Sequence, residues 1–273
     1  MIVAIDTGGT KTLIAGYNER GVITTQFKFE TPKQPSAYID AVAMHLKALF
    51  DGKEITAISL AIPGLLKDGV ALHCPNLGWT NFHIVRELQA VIGKATPIFL
   101  ENDANLAGLA EARSFRKIPD FCLYVTISTG IGSGIIVEGK LNKALRDSEA
   151  GHALIEYDGL VREWETFASG KAIFKAYKKM AKDIKSKRTW MQISDRISRG
   201  FLAVIPILQP DVIVIGGSMG TYFEHYEDYL NERLKKHLPE MIPLPKIVQA
   251  KHPEEAVVYG CYYYALDRLA ETA

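Results

Sequence analysis

Short apolar or alternating stretches in this chain take turns with longer ones in which apolar residues recur every third or fourth position. The short stretches predict strands at 2–6, 12–18, 22–28, 55–62, 97–101, 121–128, 132–138, 211–215 and 246–249. The longer ones predict helices at 36–50, 83–92, 104–114, 167–184, 190–208, 222–237 and 254–270. Strands interleaved with helices indicate α/β architecture. Within Lys171 to Arg188, the apolar residues Ile173, Phe174, Tyr177, Met180, Ala181 and Ile184 fall at helical spacing. That pattern predicts a surface helix with a solvated lysine face, not a nucleic-acid stripe.

Two strand pairs repeat one design. Ile2–Ile5 runs into Asp6-Thr7-Gly8-Gly9-Thr10-Lys11, and the apolar run Leu13–Tyr17 follows. Cys122–Val137 does the same around Ser128-Thr129-Gly130-Ile131-Gly132-Ser133-Gly134. Each reads as a β-hairpin with a tip of glycine and hydroxyl. One such tip alone is a tight turn. Two of them predict related lobes with a polyphosphate chain between the tips, because glycines tolerate positive φ and let an anion approach backbone N–H groups. Asp6 ends its strand where it could hold a hydrated metal ion.

Composition narrows the partners. The chain has 273 residues, enough for a sizeable core and two lobes. Its net charge of +1 argues against nucleic acid or an anionic membrane as the main partner. The start shows no signal peptide, and the longest apolar run, Phe201–Leu208, is too short to span a bilayer and contains Pro206. Cys74, Cys122 and Cys261 form no C-x-x-C pair, so a reduced cytoplasmic protein is expected.

Two familiar motifs fail. Gly134, Gly139 and Lys140 approximate a P-loop, but residue 141 is Leu and the intervening stretch is strand-like. No complete G-x-G-x-x-G follows the first strand. Glu101-Asn102-Asp103-Ala104-Asn105 lies at the carboxyl end of a strand, where ligands collect in open α/β sheets. Asp103 there is either a helix N-cap or a group that accepts a proton from a bound hydroxyl. Asn102 could fix neighbouring hydroxyls through its amide. In Glu149-Ala150-Gly151-His152, glycine permits a sharp turn, so Glu149 and His152 could face one ligand. Glu165 follows in Trp164–Gly170. Two carboxylates and an imidazole suit a polyhydroxylated ligand, although solvated surface charge is the plainer alternative. Gly216-Gly217, after the strand 211–215, permits close backbone approach beside a nucleotide or makes a plain strand-to-helix turn.

Taken together, Asp6–Lys11, Ile62-Pro63-Gly64, Pro75-Asn76-Leu77-Gly78-Trp79, Glu101-Asn102-Asp103, Ser128–Gly134, Glu149–His152 and Ile215-Gly216-Gly217 resemble the ROK (repressor, open reading frame, kinase) family of sugar kinases. The resemblance implies a two-lobed actin-like ATPase fold, related to ribonuclease H, with a duplicated hairpin phosphate loop and a cleft between lobes. Lobes of 1–104 plus 254–273 and of 105–253 are expected. It further implies that Asp103 is the catalytic base, and that Asn102, Glu149, His152 and Glu165 bind sugar, with Gly64 and Asn76 as further candidates. Gly8, Gly9, Thr10 and Lys11 with Thr129 and Gly130 would form the phosphate loops. Gly216 and Gly217 would lie on the adenosine side, and Asp6 would be an outer-sphere partner of magnesium.

One departure stands out. Many members carry a cysteine-rich zinc motif after the histidine, whereas Ala153–Trp164 has no cysteine and looks shortened. No structural zinc is expected, and His152 is a weak metal ligand with no cysteine or histidine nearby in sequence. The repressor branch's helix-turn-helix is not expected before the first strand. The expected activity is ATP-dependent phosphorylation of a hexose or hexose derivative, glucose first, with Mg²⁺, in a cytoplasmic homodimer. The alternatives are a glucokinase using inorganic polyphosphate, a non-catalytic sugar sensor and an actin-like filament former.

Overall fold

The structure, a computed structural model, describes residues 1–252 and 255–272. Along the chain run β1 (Ile2–Thr7), β2 (Lys11–Tyr17), β3 (Ile23–Glu30), α1 (Pro35–Phe50), β4 (Ala57–Ile62), β5 (Leu65–Lys67), β6 (Val70–Cys74), β7 (Trp79–Phe82), α2 (Ile84–Ile92), β8 (Ile98–Asn102) and α3 (Asp103–Arg113). Then follow β9 (Phe121–Ile127), β10 (Ile131–Val137), β11 (Lys140–Leu141), β12 (Leu154–Tyr157), β13 (Leu160–Glu163), α4 (Glu165–Ala168), α5 (Gly170–Tyr177), α6 (Lys187–Leu208), β14 (Val212–Gly216), α7 (Gly217–Gly220), α8 (Glu227–His237), β15 (Lys246–Gln249) and α9 (Ala256–Thr272). Two compact units result, one from Met1–Ala110 with the chain from Glu255 on, the other from Glu111 onward.

The first unit is built on a five-stranded sheet in the order β3-β2-β1-β4-β8. β1 is antiparallel to β2 and parallel to β4. Period-two alternation sorts its side chains onto two faces. Val3, Ile5, Ile14, Ile58, Leu60 and Ile62 bury against Tyr38, Ile39, Val42 and Leu46 of α1 and Leu88 of α2. The other face carries Ala4, Ala15, Ala57 and Ala61 beside Ile2 and Tyr17, and packs with Leu106 of α3 and Val258, Cys261 and Ala265 of α9. Each large aliphatic side chain so buried contributes about 1.5–3 kcal/mol.

The second unit repeats the plan. Its sheet runs β11-β10-β9-β14-β15, with β9 antiparallel to β10 and parallel to β14. In both sheets the hairpin strands and the next two parallel strands occupy matching places, so the repeated tip pattern reflects a repeated sheet topology. The core of this unit gathers Val125, Ile127, Trp164, Phe167, Ile197, Phe201 and Ile215.

Several elements differ from the sequence reading. The helix expected over 167–184 breaks, with α4 ending at Ser169, α5 at Lys178 in a left-handed conformation (φ 53°), and a single 3-10 turn at Ala181–Asp183. The lysine-rich stretch is therefore not one helix. Three-residue and four-residue periodicity survives across such a break, so periodicity alone could not locate it. α6 starts at Lys187, earlier than expected, because Ser186 Oγ caps it by accepting from Thr189 N at 3.3 Å. The helix expected at 222–237 begins as a 3-10 turn, and α8 proper starts at Glu227. The last helix is Ala256–Thr272; residue 254, where it was expected to begin, lies outside the described residues. Strands β5, β6 and β7 form a small sheet with no counterpart in the sequence reading. So does the hairpin β12–β13, which fills the interval Ala153–Trp164.

Candidate functional site

At the first tip, between β1 and β2, Gly8 N donates to Lys11 O at 2.9 Å. Neither Gly8 nor Gly9 adopts positive φ, so the tip does not use the conformational freedom expected of it. Space is what it uses: a Cβ on Gly9 would stand 3.0 Å from the carbonyl oxygen of Asn76. The segment after β3 braces the tip. Thr31 Oγ1 donates to Gly8 O at 2.8 Å, Thr31 N to Thr10 O at 2.9 Å, and Lys33 Nζ to Gly9 O. Lys33 O in turn accepts from buried Trp79 Nε1 at 2.8 Å. Thr31 and Lys33 carry no motif, and the sequence reading missed both. Thr10 and Lys11 remain exposed beside them.

The carboxylates of this unit stand at strand ends. Glu101, 3 % exposed, accepts from Asn102 N at 2.9 Å and from Asn105 Nδ2 at 3.0 Å. Asn102 has a structural task beyond the one foreseen. Its Oδ1 accepts from Ala104 N at 2.8 Å, capping α3, and its Nδ2 donates to Gly64 O at 3.1 Å. Gly64 has φ 116°, and a Cβ there would meet His73 O at 2.4 Å, so only glycine fits. Asn102 and Gly64, both expected near a ligand, are thereby joined.

Asp103 opens α3 and accepts from Ala104 N at 2.9 Å. Burial pushes its carboxyl above the ordinary carboxylate range, against the opposing pull of backbone N–H groups. Asp6 is raised to about 7, first by burial and then by the negative charge of Asp103, with Lys28 partly offsetting both. Two partly buried carboxylates that feel each other's charge favour a cation between or beside them. This donor chemistry fits magnesium. Thr7, the last residue of β1, is held by its hydroxyl contact with Tyr38 at 2.7 Å.

In the second unit, Ser128 N donates to Gly130 O at 2.9 Å across the second tip, and Thr129 is exposed at its apex. Glu165 Oε2 accepts from Ile131 N at 3.1 Å, so this carboxylate is tied to the base of the tip. Gly217, at φ 74°, and Gly170 press against the same loop; a Cβ on either would stand 2.7 Å from the carbonyl oxygen of Ile127 or Ser128 respectively. Gly216 is extended, at φ −112°. The N-terminus of α5, with Ser169 Oγ accepting from Ala172 N at 3.2 Å, thus lies beside the second tip, an element the sequence reading did not single out.

Glu149 precedes the 3-10 turn Ala150–His152. Gly151 is not in a left-handed conformation; the turn packs so close to β10 that a Cβ would fall 2.0 Å from Ile131 O. The expected sharp turn is therefore a close approach. His152 Nδ1 lies 3.3 Å from Glu163 Oε2, and the ligand atoms of His152, Glu163 and Glu165 all lie within 4.8 Å of one another. Glu163 had not been picked out, because its position depends on the hairpin. Cys74, Cys122 and Cys261 are buried, in β6, β9 and α9. No helix among the described residues is long and apolar enough to cross a membrane.

The paired five-stranded sheets, each opening on a hairpin, define the actin-like ATPase fold. A ROK hexokinase from Thermus thermophilus superimposes with a TM-score of 0.77 and 26% identity, over 97% of this chain and 99% of that one. The inorganic polyphosphate/ATP-glucomannokinase of an Arthrobacter strain gives 0.71 and 27%, over 97% and 98%. A glucokinase of Streptomyces coelicolor is 30% identical over 196 residues, 66% of this chain and 60% of that protein. The ROK family profile matches residues 2–268, and the chain belongs to the ROK family.

Proposed function

We propose that this protein is a kinase that transfers the terminal phosphoryl group of ATP to a hydroxyl of a hexose or hexose derivative, with glucose the first candidate. The observation that carries the reading is Asp103: a partly buried carboxylate at the carboxyl end of β8, its proton affinity raised, beside the Asn102–Gly64 pair. As general base it takes the proton of the attacking hydroxyl while the new O–P bond forms and the bond to the donor breaks. Asn102, Glu149, His152 and Glu165 are the sugar ligands in this reading, with Gly64 and Asn76 weaker candidates. Phosphoryl transfer depends mostly on positioning and charge neutralisation. Gly8, Gly9, Thr10 and Lys11 with Thr129 and Gly130 serve the phosphates, and Gly216 and Gly217 the adenosine side. Magnesium, when bound with the nucleotide, supplies charge neutralisation, and Asp6 would hold it through water. The likeness to glucokinase and hexokinase relatives supports this reading.

Asp103→Asn tests it. General-base catalysis is worth about 10²–10⁴-fold, so turnover falls by that order while sugar binding largely survives. Near-normal turnover would remove Asp103 from the role. A coupled assay over a sugar panel identifies the acceptor. Inorganic polyphosphate is the second donor to include, because the glucomannokinase of similar fold is named for both donors. Near-neutral charge and buried free cysteines favour small-molecule partners and a reducing cytoplasm. A homodimer is the expected assembly, read by sedimentation.

A further inference from the structure

From the hairpin that fills 153–164 we infer that Glu163 is a positioning residue: it holds the imidazole of His152 so that Nε2, not Nδ1, meets the sugar. The inference rests on the sugar-binding role proposed for His152. Three features hold the pair in place. In the β12–β13 ladder Leu154 faces Glu163, and Trp164 N donates to Ala153 O at 2.9 Å, so the residues following His152 and those around Glu163 are locked side by side. Trp164 is fully buried in the core of the second unit, with its ring edge-on to Phe201 at 5.2 Å. That anchor fixes the residue on each side of it, Glu163 and Glu165. The two carboxylates then divide: Glu165 Oε2 goes to Ile131 N, and Glu163 Oε2 to His152 Nδ1 at 3.3 Å.

The chemistry follows from what each group can do. An ionised carboxylate only accepts, so the ring nitrogen it faces carries a proton. In a neutral imidazole the other nitrogen then offers a lone pair, and His152, 56% exposed at its side chain, can present Nε2 as an acceptor for a sugar hydroxyl. Partners that orient a ligand-binding imidazole typically matter by about 10–100-fold at metal centres, whereas exposed ion pairs are worth up to about 1 kcal/mol, roughly fivefold. The pair here is half-exposed, which sets the expectation near the lower figure.

The experiment measures Glu163→Ala, Glu163→Gln and His152→Ala for sugar KM, ATP KM and kcat, with ¹⁵N NMR of the wild-type imidazole. Glu163→Ala is expected to raise sugar KM about 5- to 10-fold with ATP KM unchanged. Glu163→Gln, whose Oε1 still accepts, is expected to stay within about twofold of wild type. In a His152→Ala background, Glu163→Ala is expected to add nothing. The wild-type ring is expected as the Nδ1–H tautomer, a readout that does not depend on any variant folding. An Nε2–H tautomer overturns the inference, as does an unchanged sugar KM in Glu163→Ala where His152→Ala raises it. If His152→Ala itself leaves sugar KM unchanged, the sugar-site reading falls and takes this inference with it. Activity lost on chelation and restored by zinc but not by magnesium would mean that a metal on His152, Glu163 and Glu165 orients the ring, which also overturns it.

Discussion

Replacing Gly200 by alanine drives a methyl group into the ring of Trp164. Gly200 lies inside α6, and a Cβ there would stand 2.0 Å from Cδ2 and Cε2 and 2.5 Å from Cε3 of that ring. Ordinary carbon–carbon contacts are about 3.5–4.0 Å, so the ring or the helix must move by roughly 1.5 Å. The ring has little room: it is fully buried, edge-on to Phe201, and its Nε1 donates to Arg196 O at 3.4 Å. Overpacking of this kind costs about 1–3 kcal/mol, occasionally more. Alanine returns up to about 1 kcal/mol through its better helix propensity. The net expectation is a loss of about 1–2 kcal/mol, or a fall in Tm of roughly 2–8 °C at about 2–4 °C per kcal/mol. Because Trp164 sits between Glu163 and Glu165, sugar KM should rise as well. Urea unfolding and calorimetry measure the first effect. Trp164→Leu in the Gly200→Ala background removes the clashing ring, so the double variant should lose less than the sum of the two single ones, by 1 kcal/mol or so. Gly200→Ala at or above wild-type stability, or strict additivity in the cycle, would refute the packing argument.

The remaining predictions concern the first tip, the Asn102 pair and the return of the chain to α9. Asp6 binds its proton more tightly folded, with a pKa of about 7, than unfolded, at 3.8. Its contribution is therefore complete below about pH 4, is lost as pH rises toward 7, and stays lost above, a change of order 2–4 kcal/mol. Without magnesium, Asp6→Asn should flatten that slope and be the more stable protein above pH 7; parallel stability profiles for the two proteins would count against it. Gly64→Ala must place a Cβ 2.4 Å from His73 O at φ 116°, costing about 2–4 kcal/mol and raising sugar KM through the displaced Asn102 contact. Urea midpoints and sugar kinetics read both effects. Glu111, 1 % exposed, accepts from Lys251 N at 2.8 Å and His252 N at 2.7 Å. Glu111→Gln weakens charge-assisted bonds and should cost about 1.5–3 kcal/mol, with faster amide exchange at residues 251 and 252 as its local signature.

Much of the fold was legible because it is local. Strand alternation and helical spacing are properties of consecutive residues, so β1, β2, β4, β8, β9, β10, β14 and most helices appear near their expected places. The repeated glycine-and-hydroxyl tips announced the repeated sheet topology for the same reason. Short elements held by distant partners were not legible. The strands β5 to β7 and the hairpin β12–β13 are three to five residues long and exist because they pair with each other, not because of an internal period. The glycines show a second limit. Their presence at Gly8, Gly9 and Gly151 was visible, but none of the three adopts positive φ, and at Gly9 and Gly151 it is a neighbouring carbonyl that leaves little or no room for a Cβ.

The sequence by itself determined which chemical groups the protein owns and in what order: the two tips, the Glu101-Asn102-Asp103 run at a strand end, and the Glu149, His152 and Glu165 set. Tertiary structure decided their company. It set Thr31 and Lys33 under the first tip, joined Asn102 to Gly64, tied Glu165 to Ile131 and set Glu163 beside His152. Those partners are separated by up to 38 residues along the chain. Side-chain period carries no information across such gaps. Packing does, because a buried Trp164 and a close-fitting turn at Gly151 leave their neighbours few other places to go.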